Sequence, residues 1–145
     1  MEDPNAFLSE LELREAVPLA IKPVTLAFLL NTDRRRQGFP ASQAQLYAEG
    51  CRLLCEETSE SRRGAGLLGD LTADQRLAVA ARIAAITVFC NRYAIWTGVD
   101  RGDVPTDDIL LEDLIGDTEG AKDSAVAVSQ RTIRETLDTG LFSSR

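Results

Sequence analysis

The sequence predicts an all-α fold, a helical bundle, and three observations carry that expectation. Apolar residues recur at helical spacing in successive stretches of the 145-residue chain. Helix-start signatures stand in front of several of them: Asp3-Pro4, Ser42 with Gln45, and Thr72 with Gln75. The longest stretch, "LTADQRLAVAARIAAITVFCNRYAIW", carries no charge between Arg82 and Arg92, the pattern of a helix buried over most of its circumference.

In chain order, Asp3 caps a short helix with Pro4 at its first position, and Phe7, Leu8 and Leu11 form its apolar stripe. A second short turn covers Ala16 to Ile21. Pro23 then interrupts the apolar run "LAIKPVTLAFLLN". An interior proline lacks an N–H and clashes with the preceding turn, so Pro23 either begins a new helix or offers its rigid ring to a ligand. Leu26, Leu29 and Leu30 fall at helical spacing behind it, and Arg34, Arg35 and Arg36 suit the negative end of that helix, with Gly38 beyond. Ser42 and Gln45 open the next helix, with Leu46, Tyr47, Cys51 and Leu54 on or beside one face. The polar, glycine-rich "TSESRRGAGLLGD" is a loop.

The long helix starts at the Thr72–Gln75 capping box and is expected to run to Trp96, with Gly98 ending it. Ala80, Ala81, Ala84 and Ala85 are small enough for neighbouring helices to approach. Trp96 is expected to anchor a core or an interface. From Asp100 to Gly120 there are eight acidic residues and one basic one, and Thr106 with the following aspartates suits another helix start. "SAVAVSQRTIRETLDTGLFSSR" reads as a short strand, a helix capped by Ser129, and an extended piece at Leu141-Phe142.

Composition narrows the function classes. A chain of this length buries roughly 70% of its unfolded surface and needs no disulfide or metal staple. The net charge of −7 disfavours nucleic acid and anionic lipid, which are held by Lys and Arg on phosphates. Three cysteines give no even disulfide framework, and the acidic "MEDPNAFLSELELRE" is no signal peptide, so a cytoplasmic setting is expected. The charge-free run from Ile83 to Asn91 is too short to span a bilayer.

No histidine is present, which removes Ser–His and Cys–His pairs and histidine metal sites. Gly64, Gly66 and Gly69 accompany no G-x-x-x-x-G-K-[ST] and read as loop glycines. Cys51 and Cys55 lie one helical turn apart but lack the further ligands of a zinc site, so they read as core thiols. The carboxylates do not follow a calcium-loop order, and pairs such as Glu56-Glu57 and Asp107-Asp108 sit in no apolar surroundings that would mark a general acid. Arg101-Gly102-Asp103 is a chance tripeptide in this setting. No metal and no catalytic residue is assigned, and the chain alone is not read as an enzyme.

Taken together, "LAIKPVTLAFLL", "LYAEGCRLLCEE", "QRLAVAARIAAITVFCNRYAIWTG" and "IRETLDTGLFSSR" resemble the region after the nucleotide-binding core of bacterial NACHT-type STAND NTPases, relatives of the AAA+ ATPases. The resemblance covers nearly the whole chain through the order and spacing of these stretches. It implies that residues 1–98 form a helical lid subdomain and that 99–145 form an acidic linker and an incomplete winged-helix subdomain. It further implies that Pro23 packs on the adenine of ATP or ADP, with Pro18 as the alternative position. The P-loop, metal-binding acids and catalytic base would belong to a core before Met1, and a histidine-bearing segment would follow "LDTGLF", so the likeness is to a fragment. The implied partners are that NTPase core and the winged-helix remainder; a homo-oligomer is admitted. The implied function is ADP/ATP-dependent switching and oligomerisation in signalling, antiviral defence included. The competing reading is a stand-alone helical protein–protein interaction module, with an apolar groove beside the long helix.

Overall fold

The computed structural model describes residues 3–20, 23–36, 39–40, 42–56, 69–99 and 102–142, with the side chains of residues 18, 19, 23, 24, 35 and 36 excepted. The chain divides into two compact units, Met1–Leu54 and Cys55–Arg145. The expected boundary at residues 98/99 falls inside the second.

In the first unit, helix α1 (Pro4–Leu13) begins as its sequence requires: the Asp3 carboxylate accepts the Asn5 N–H at 2.9 Å, and Pro4 occupies a position that needs no N–H. It ends in a Schellman turn. Ala16 N–H donates to Leu11 O at 2.9 Å and Glu15 N–H to Glu12 O at 3.1 Å, with Glu15 at φ 53°. The turn carries Ala16 into the same core as Leu11. Helices α2 (Val17–Ala20) and α3 (Pro23–Arg36) follow, and α4 (Gln43–Glu56) starts with Ser42 Oγ accepting the Gln45 N–H at 3.2 Å.

Leu11, Ala16, Phe28, Leu29 and Leu46 form the core of this unit, flanked by Phe7, Ala20, Phe39 and Leu53. Each fully buried leucine contributes about 1.5–3 kcal/mol relative to exposure. The Phe28 ring lies so close over Gly50 that a Cβ there would stand 2.3 Å from it, so α3 and α4 meet where the sequence offers no side chain. Arg14 ties the end of α1 to Glu10, at 2.7 Å, and to the carbonyl of Pro40.

The second unit corrects the fold class. It contains two small sheets, and the chain is mixed α/β rather than all-α. Helix α5 (Ala73–Phe89) has both halves of the capping box between Thr72 and Gln75, but it stops at Phe89 and does not reach Trp96. Asn91 adopts φ 51°, Arg92 N–H donates to Thr87 O at 2.8 Å, and Asn91 N–H to Val88 O at 3.2 Å, a second Schellman turn. Beyond it, Ala94–Trp96 form strand β1, which pairs in parallel with β2 (Asp108–Leu110) in the register Ile95 to Ile109. Aromatic and β-branched residues favour that extended state once the helix has been stopped.

The helix expected from Thr106 is therefore strand β2 followed by a single 3-10 turn, Leu111–Leu114. Strands β3 (Thr118–Glu119) and β4 (Val126–Ala127) pair antiparallel, and Gly120 at φ 96° lets the connecting chain approach Ser124 O. Helix α6 (Gln130–Leu137) carries the expected Ser129 cap, reciprocated by Thr132. Leu141-Phe142, expected to be extended, lie in a turn in which Phe142 N–H donates to Thr139 O at 3.3 Å.

The core of the second unit joins Val79 and Ile83 of α5 to Ile109, Leu111, Leu114, Val126, Val128 and Ile133. One face of α5 supplies this core. The expectation that most of its circumference is buried fails, because Ala81, Ala84, Ala85, Val88 and Phe89 are exposed.

Candidate functional site

Pro23 is the first residue of α3, where its missing N–H forfeits no helical bond and its fixed φ suits the helix. Phe28 and Leu29, further along α3, fix this helix in the core of its unit. The Thr32 hydroxyl, also buried, donates to Phe28 O at 3.0 Å. Pro18 is the second residue of α2, again in a first turn. The rings of Pro18 and Pro23, and hence any contact they make, lie outside the described residues.

Among the other anion-binding candidates, the side chains of Arg35 and Arg36 lie outside the described residues. Arg34 is exposed near the far end of α3, about 16 Å along the helix axis from Pro23. Gly64 and Gly66 lie outside the described residues. Gly69 faces the Glu135 carboxylate, whose negative charge opposes a phosphate at that place. Cys55 is buried, and Cys51 is half-buried with its thiol pKa pushed up by desolvation, which favours the inert protonated form. Among the described residues no group of three or more His, Cys, Asp or Glu side chains is placed to hold a metal ion. No helix among them is long and apolar enough to cross a membrane. Trp96 is half-buried in β1 and donates weakly to Val99 O at 3.4 Å, while its neighbour Ile95 packs against the core.

No family model, curated protein or solved structure matches this chain.

Two features went unread in the sequence. The first is a buried ion pair: Arg76 meets Glu135 Oε1 at 3.0 Å, with side-chain exposures of 8% and 13%. The same oxygen accepts the Leu71 N–H at 3.0 Å, and Arg76 NH1 donates to Cys55 O at 2.9 Å. Charged residues far apart in sequence give no local signal of such pairing. The second is the exposed apolar face of α5. Its signal was present in the charge-free run between Arg82 and Arg92, which composition alone assigns to burial.

Proposed function

We propose that this chain is the regulatory lid region of a bacterial NACHT-type STAND NTPase, acting in the cytoplasm. In this reading it has no catalysis of its own. It senses whether ADP or ATP occupies a P-loop core and shifts between a closed, ADP-favoured packing and a rearranged one that supports oligomerisation.

The observation that carries this reading is the start of α3 at Pro23, on a helix held in the core of its unit by Phe28 and Leu29. A proline there has a fixed backbone and needs no hydrogen-bond partner for its nitrogen. The order and spacing of the four sequence stretches supply the family context.

Two measurements test it. Sequencing the DNA upstream of this reading frame is expected to reveal an in-frame G-x-x-x-x-G-K-[ST] segment; its absence overturns the reading. In the protein joined to that core, Pro23→Ala is expected to weaken adenine-nucleotide binding several-fold while leaving the circular-dichroism spectrum unchanged. Unaltered affinity would return Pro23 to helix initiation alone.

A second reading, a stand-alone interaction module, is favoured by one observation: the uncovered apolar face of α5.

A further inference from the structure

We draw no further inference here: the strongest candidate, the exposed apolar face of α5 formed by Ala81, Ala84, Ala85, Val88 and Phe89, carries nothing because nothing in the structure shows what covers it.

Discussion

Glu15 and Asn91 hold equivalent places, one residue beyond a helix cap, at φ 53° and 51°. The left-handed conformation costs an L-residue about 1–2 kcal/mol, and only glycine and, to a lesser degree, asparagine adopt it readily. Asn91 suits its place and Glu15 does not. Glu15→Gly is therefore expected to stabilise the chain by about 0.5–1 kcal/mol, part of the relief being offset by the greater freedom of glycine in the unfolded chain. The check is a higher urea midpoint with an unchanged slope. Single residues were also where the sequence was most legible. Asp3, Ser42, Thr72 and Ser129 cap the helices expected of them, because a cap bonds to backbone two or three residues away and needs no tertiary context. Asn91 carried the signal for the end of α5, but the apolar spacing of Tyr93, Ile95 and Trp96 continued the helical period past it.

At the scale of elements, the misreading of residues 94–96 and 108–110 has one physical cause. A strand of three residues is too short to display a period of two, and a parallel partner distant in sequence leaves no turn signature. The links among α5, α6 and the chain before them are non-local as well. Arg76 on α5 binds Glu135 on α6 and the carbonyl of Cys55, and Arg82 binds Leu114 O at 3.0 Å and Glu119 at 2.8 Å. The more buried of these arginines dominates. Arg76→Ala is expected to cost about 3–5 kcal/mol, since it strands the Glu135 carboxylate with much of its solvation gone. Arg131 and Asp70, by contrast, pair in solvent, so truncating either is expected to change stability by less than about 1 kcal/mol. Chemical denaturation of the two variants, run side by side, checks both magnitudes.

For the whole molecule, the two cores share no residue: one is built from residues of Met1–Leu54 and the other from residues of Cys55–Arg145. Leu29→Ala and Ile133→Ala each empty a fully buried site and are expected to cost about 2–5 kcal/mol. Native-state hydrogen exchange separates their effects. Leu29→Ala is expected to accelerate exchange in α1 and α3 first, and Ile133→Ala in α5 and α6 first, because local opening follows the core that supports it. Uniform loss of protection in both variants would show that the cores unfold as one. At this scale the sequence was least legible. Helical periodicity located most helices, but which residues share a core depends on pairings across long stretches of chain. The candidate site shows the same limit: Pro23 was readable as a helix start from its chemistry alone, whereas the apolar outer face of α5 emerged only when the inner face had been found.

The close approach of Gly69 to Glu135 couples what these two positions can tolerate. A single methyl group at residue 69 would stand 2.0 Å from Glu135 Oε1, and that oxygen is not free to swing aside, being held by Arg76 and by the Leu71 N–H. A side chain at 69 thus becomes tolerable only after position 135 has shortened, and glutamate at 135 persists only while 69 stays bare. Shortening residue 135 first would in turn strand the buried Arg76, so the two positions are coupled in both directions across the space of one missing carbon.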